Sequence, residues 1–278
     1  MDKGLHVALA AERLGSLFGI PVTNTLIAAW TVIAVLLVVA FVVGRNPKLI
    51  PTGVQNVFEM LFEFVLEFME RTLGSRELAV KFFPLIATIF LFIFTSNLFD
   101  FLPFFGSLGV HHGAELVPLF RPVNTDLNVT LALAFISVFA IEFAGITALG
   151  AVTYIGKFFT FRGKGIGNRL LNSMVGLLEF ISEVSRLISF SFRLFGNVFA
   201  GEVLLAVIAL FVPYGAPVPL MAFEVFVGFI QAVVFAMLTL FFIKMAVTAP
   251  HHVDGQAHGD EHTQAHPAHS NTSAQAHS

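Results

Sequence analysis

The chain has 278 residues, of which 56% are hydrophobic and only 12% charged, against about 25% charged in ordinary globular proteins. A net charge of −3 gives no basic footprint for nucleic acid, and the absence of cysteine removes disulfide frameworks, thiolate metal sites and haem-attachment pairs. Its long apolar runs are continuous rather than alternating, which excludes a membrane β-barrel and points to helices crossing a hydrocarbon core about 30 Å thick. The expected fold class is therefore an all-α polytopic membrane protein.

Residues 1–24 include Asp2, Glu12 and Arg13 and no short apolar run before a small-residue cleavage site. They read as an external segment ahead of an uncleaved first anchor. The first span covers residues 25–44 and meets Arg45, Pro47 and Lys48. Over residues 53–71, Glu59, Glu63, Glu67 and Glu70 fall on one helical face, with Phe58, Leu61, Phe62 and Met69 among the apolar positions around it. Four acids make crossing costly, so an in-plane amphipathic helix is expected. Its glutamates face headgroups or a partner; a surface helix without a specific role fits the same pattern.

The second span covers residues 82–99 and leads into Asp100-Phe101-Leu102-Pro103. The third covers residues 128–154, interrupted only by Glu142, before a basic loop with Lys157, Arg162, Lys164 and Arg169. The Gly163-Lys164-Gly165-Ile166-Gly167 stretch in that loop lacks the spacing of a phosphate-binding cradle and reads as a turn. Residues 170–212 contain no proline and would form a helix about 65 Å long. Either that helix is steeply tilted or it breaks near Gly196. Pro213, Gly215, Pro217 and Pro219 mark a turn, and a last span covers residues 220–247. Seven of the ten histidines lie in residues 249–278 among Gln, Ala, Ser and Thr. Their irregular spacing favours a solvated, disordered tail over a metal site.

The side of the membrane holding residues 45–81, 155–169 and the C-terminus carries Arg45, Lys48, Arg71, Arg76, Lys81, Lys157, Arg162, Lys164, Arg169 and Lys244. The other carries Lys3, Arg13 and Arg121. That asymmetry puts the C-terminus in the cytoplasm and the N-terminus outside.

Ionisable side chains at bilayer depth are costly and mark ion paths. Glu179, Arg186 and Arg193 recur every seven residues and drift only about 20° per step along the long helix. Ser182, Glu183, Ser189 and Asn197 lie beside them. The last helix carries Glu224 and Gln231, seven apart on one face. Aligning depths across the proline turn brings Glu202 near Glu224 and Arg193 near Gln231. An arginine does not release its proton at working pH, so Arg193 suits separating two water-accessible half-paths and attracting a partner's carboxylate. Internal pairing of Arg193 with Glu183 or Glu202 is the structural alternative.

Ser191-Phe192-Arg193-Leu194-Phe195-Gly196-Asn197-Val198-Phe199-Ala200-Gly201-Glu202 resembles the signature of subunit a of the F-type ATP synthase. Asn97-Leu98-Phe99-Asp100-Phe101-Leu102-Pro103, Asp126-Leu127-Asn128-Val129-Thr130, Glu179 and Gln231 extend the likeness over roughly residues 20–248. The resemblance implies a stator subunit, without catalytic or cofactor role of its own, in the Fo sector of a bacterial inner membrane. Its partners would be a c-ring, b-type peripheral-stalk subunits, the rest of the synthase and the lipid bilayer. Arg193 would be the essential separator facing the ring carboxylate. Glu202, Glu224, Gln231 and Asn197 would line or support the outer half-channel, and Glu179, Ser182 and Glu183 the inner one, with Arg186 supporting. Glu142 either supports the inner path or hydrogen-bonds a neighbouring helix. The family commonly carries one glutamate and one histidine at the Glu202 and Glu224 positions, so two carboxyls here would share a proton differently. A proton is the implied cargo; the carboxylate oxygens leave sodium coupling open. A stand-alone transporter or proton channel is the alternative, although no internal repeat supports it.

Overall fold

The computed structural model describes residues 11–17, 19–45, 53–101, 109–112, 115–156 and 166–248. The N-terminal ten residues, the basic loop at 157–165 and the histidine-rich tail lie outside them. Among the described residues, five helices are long and apolar enough to cross a membrane.

A short antiparallel hairpin, β1 (Arg13–Leu17) and β2 (Ile20–Thr23), leads into helix α1 (Asn24–Gly44). Thr23 caps α1 by accepting from the Leu26 amide. Helix α1 buries only its first turns, through Ala28, Ala29 and Val32. Leu37, Val38, Phe41 and Val42 stand exposed, as expected of a lipid-facing surface. Helix α2 (Val54–Leu73) stops at Gly74, whose left-handed backbone (φ 76°) lets its N–H reach the Glu70 carbonyl. It buries Met69 and Leu73 in a core shared with Phe82, Ile86, Ile141, Leu240 and Ile243, while Glu59, Glu63 and Glu67 remain exposed. Despite its length, α2 is absent from the five apolar helices.

Helix α3 (Arg76–Phe99) begins six residues earlier than the apolar run, because Ser75 caps it by accepting from the Leu78 amide. A second hairpin follows, β3 (Gly109–His112) with β4 (Glu115–Pro118). A single 3-10 turn (Val123–Thr125) then reaches Asp126, which caps α4 (Leu127–Leu149). Neither hairpin is foreseen by the sequence reading; RLGSL, IPVT, GVHH and ELVP do not alternate strictly between apolar and polar residues. That reading also carries the third span to residue 154. Instead α4 ends at Gly150, whose φ of 84° is available to glycine, and a separate short helix α5 (Ala151–Gly156) follows.

Helix α6 (Ile166–Phe211) is continuous over 46 residues, which resolves the choice posed by its length: there is no helix end at Gly196. Helix α7 (Pro217–Val247) starts with proline in its first turn and forms the centre of the bundle, against α3, α4 and α6. Its Ala232 and Phe235 join Ile89, Ile93, Ala134, Phe190 and Leu194 in the middle core. At the end of the bundle where α1 and α4 begin, Thr25 donates to Asp126 at 2.7 Å. Ser191 and Thr130 join α6 to α4 through their hydroxyls at 3.1 Å. These ties fix the helix that carries most of the charged groups.

Candidate functional site

Polar side chains collect in two places inside the bundle, one on each side of Arg193. The first lies where α3 ends and α7 begins. Glu202 of α6 meets Arg121, from the segment before α4, at 3.8 Å. The Arg121 side chain is 7% exposed and that of Glu202 31%, so the pair sits at a boundary with the acid on the wetter side. The Glu224 carboxyl of α7 occupies the space where a Cβ at residue 201 would be. Gly201 therefore lets α6 receive the acid of the neighbouring helix one residue from Glu202.

Asp100, immediately past α3, borders the same space. A small cleft is lined by Asn97, Asp100, Asn197, Glu224 and Gly228, with Phe101, Val198 and Val227 as apolar wall. Asn97 donates to the Gly228 carbonyl at 3.0 Å and accepts from Asn124 at 2.7 Å. A side chain at 228 would crowd Asn97, since a methyl added there would lie 2.9 Å from the Asn97 Cβ. Burial, and then the charges of Glu224 and Glu202, push the Asp100 carboxyl well above the usual aspartate range. The cleft thus holds two carboxyls, Asp100 and Glu224, with hydrogen-bonding amides along its wall, and the Glu202–Arg121 pair lies close by.

Arg193 lies between the two polar places along α6. Its side chain is exposed, and it donates to Ser189 at 3.5 Å, one turn earlier. The internal partners posed for it are engaged elsewhere: Glu202 with Arg121 and Glu183 with Arg186. Gln231 is buried on α7. Depth alignment sets it level with Arg193, yet among the described residues no hydrogen bond joins the two.

The second place gathers α4, α5, α6 and α7. Glu183 is buried and forms an ion pair with Arg186 at 2.5 Å. The Arg186 guanidinium lies over the Phe242 ring, 3.9 Å from its centroid. Tyr154 is buried, its ring filling the space beside Gly145, which has no Cβ to obstruct it. Burial, followed by the charge of Glu142, raises the Tyr154 hydroxyl above its ordinary value; Glu183 adds to this and Arg186 opposes it. Glu179 is half-buried and Ser182 exposed; each lies about two turns toward the start of α6, from Arg186 and Ser189 respectively. Among the described residues, no group of three or more His, Cys, Asp or Glu side chains is placed to hold a metal ion.

Sequence reasoning gives three members of these groups no role. Arg121 counts there only for its charge, Asp100 appears only within a motif, and Tyr154 falls at the end of a span. Their partners are distant in sequence, so no local spacing marks them. Glu142, left between two roles, faces Tyr154.

Five apolar helices with buried charge clusters between them define a polytopic helical membrane protein. The family description "ATP synthase A chain" matches residues 26–244. ATP synthase subunit a of Campylobacter jejuni (serotype O:23/36, strain 81-176) is 35% identical over 209 residues, covering 75% of this chain and 83% of that one. ATP synthase subunit a of Campylobacter concisus (strain 13826) is 33% identical over 218 residues, covering 78% and 87%. The chain belongs to the ATP synthase subunit a family: it is a membrane subunit of the Fo sector, engaged in ATP synthesis and proton transport, and not a catalytic subunit. Membership sets aside the stand-alone transporter.

Proposed function

We propose that this subunit provides two offset half-paths for protons, one on each side of Arg193, and so couples proton flow to rotation of a c-ring. The outer half-path uses Glu202, Glu224, Asn197 and Gln231, together with Asp100; the inner uses Glu179, Ser182 and Glu183, with Arg186 and Glu142 supporting. A proton entering from outside neutralises a ring carboxylate, which then travels through lipid because a neutral acid is far cheaper to desolvate than a charged one. After most of a turn, the acid meets the inner half-path and releases the proton. Arg193 holds the ionised carboxylate between the two paths and blocks direct passage. Orientation follows from the lysine and arginine asymmetry, with the C-terminus in the cytoplasm of a bacterial cell and the peripheral-stalk subunits holding the chain against rotation.

The observation that supports this reading is the distribution of countercharge. Each of two inward-facing acids has its own guanidinium, Arg121 for Glu202 and Arg186 for Glu183. Arg193 stands exposed on α6, with a serine as its hydrogen-bond partner. Its charge is therefore available to an acid carried by another subunit.

The absence of cysteine makes the two half-paths separately addressable. In sealed vesicles of the assembled complex, N197C is expected to be blocked by silver ion added from the N-terminal face, and S182C by silver ion added from the C-terminal face. Blocking of both thiols from one face only would rule out two offset paths.

A further inference from the structure

Apolar packing does little to set how far one membrane helix slides along another, because lipid tails are as apolar as the side chains. Helix α6 is seated by such packing just before and just after Arg193. Phe190 and Leu194 are buried and share a core with Ile93, Ala134 and Phe235, and the Phe190 ring meets that of Phe235 with centroids 4.9 Å apart. Between them stands Ser191, fully buried, facing Thr130 of α4, which is fully buried too. The Thr130 hydroxyl donates to the Leu127 carbonyl at 3.1 Å. Its one hydrogen is then used, so Ser191 is the donor in the 3.1 Å bond between the two side chains. Ser191 is two residues before Arg193, hence about 160° round the helix from it. The bond therefore grips the back of α6 while the arginine side chain stands exposed on the front. The start of α4 is itself fixed: Asp126 caps it by accepting from the Asn128 amide at 2.9 Å, and also accepts from Thr25 of α1 at 2.7 Å.

We propose that Ser191 and Thr130 are positioning residues that set the register of α6 on α4 and so hold Arg193 at the depth its separating role requires. The proposal rests on the half-path reading above and names what keeps its central charge in place. A hydrogen bond is short and directional, so it selects one register where apolar contacts tolerate several. Sliding α6 by a single residue is a displacement of about 1.5 Å, enough to break a bond already 3.1 Å long. Misplacement of a reacting group by about 1 Å costs up to about a hundredfold. With Arg193 displaced, the two half-paths are no longer separated, and a proton crosses without turning the ring. Bonds of this kind between membrane helices favour the joined arrangement by about threefold to tenfold. Passive leak runs through the minority of displaced helices, so leak is the quantity that grows by that factor when the bond is removed.

The test uses the assembled complex in sealed vesicles, at matched assembly, with S191A, T130V, T130S, the S191A and T130V double variant, and R193A. S191A and T130V are each expected to raise passive proton leak about threefold to tenfold. T130S, which keeps the hydroxyl, should leak as native does. The double variant should leak no more than the worse single one, because both substitutions remove the same bond. T239V is the control: that buried hydroxyl bonds to the Phe235 carbonyl of its own helix, so leak should stay native. The R193A background separates positioning from ordinary packing. There S191A should add no leak, since the charge it positions is gone. Native leak in both S191A and T130V, a T130S as leaky as T130V, or a T239V as leaky as either would overturn the proposal. So would single effects that multiply in the double variant, or a further rise when S191A is added to R193A, which would make the bond a tie acting apart from the arginine. Where S191A does not assemble, T130V against T130S decides. If R193A loses pumping while S191A and T130V leak as native, the half-paths stand and the positioning role alone falls. If R193A itself pumps normally, the half-path reading falls and the positioning role with it.

Discussion

Replacing Gly228 by alanine tests how tightly the wall of the outer cleft is set. A methyl there would lie 2.9 Å from the Asn97 Cβ and 3.3 Å from its amide nitrogen, against the 3.5–4.0 Å of ordinary carbon contacts. The Asn97 Cβ is fixed to the α3 backbone, so the two helices must separate by several tenths of an ångström. Overpacking of this kind costs about 1–3 kcal/mol. The Asn97 to Gly228 hydrogen bond, 3.0 Å long, contributes about 1 kcal/mol. Alanine returns about 1 kcal/mol through its better helix propensity. The net expectation is a loss of about 1–3 kcal/mol, and a chain of this size loses about 2–4 °C in melting temperature for each kcal/mol. Scanning calorimetry of the subunit in lipid nanodiscs measures it. G196A is the control: nothing lies within 4 Å of its added methyl, so it should melt at or slightly above the native temperature. A G228A protein as stable as native would refute the close contact between α3 and α7 as the reason for this glycine.

Two further expectations concern the same cleft. Asp100 is pushed up by burial and by Glu224 and Glu202, so the folded state keeps a proton that the unfolded chain has released. Its contribution to stability therefore falls as pH rises from the ordinary aspartate range through the raised folded value. D100N should flatten that part of a melting-temperature profile, and an unchanged slope would show Asp100 to be ionised. For the Arg121–Glu202 pair, R121Q and E202Q should each destabilise, and the double variant should lose less than the sum of the two. The coupling should be about 1–2 kcal/mol, reduced by the exposed side of Glu202; strict additivity would remove the pair from the account.

The helices were legible because lipid imposes a simple rule. Each apolar run must close its own hydrogen bonds, so length and continuity suffice to mark α1, α3, α6 and α7. The four-four-three spacing of Glu59, Glu63, Glu67 and Glu70 likewise marks α2 as different in kind. The end of α4 was not legible, because Gly150 sits within an apolar stretch and a glycine in such a stretch weakens a helix without dictating where it stops. Counting residues across the proline turn gives depth, and it brings Glu224 to the level of Gly201 and Glu202. Counting gives no azimuth, which is why it aligns Arg193 with Gln231 although one is exposed and the other buried. Arg121, Asp100 and Tyr154 depend on where loops and a helix break return the chain, and that information lies in contacts between distant segments. Which guanidinium Glu202 meets lies in the same distant contacts.

On the proposed mechanism, Arg193 keeps two half-paths apart. The most direct test is proton flux in sealed vesicles containing the assembled complex, native against R193A, at matched assembly. ATP-driven pumping should be lost while passive proton leak persists or rises, because the paths are then joined with no charge between them. If coupled pumping survives R193A, the arginine is a structural residue and the two-path mechanism is contradicted.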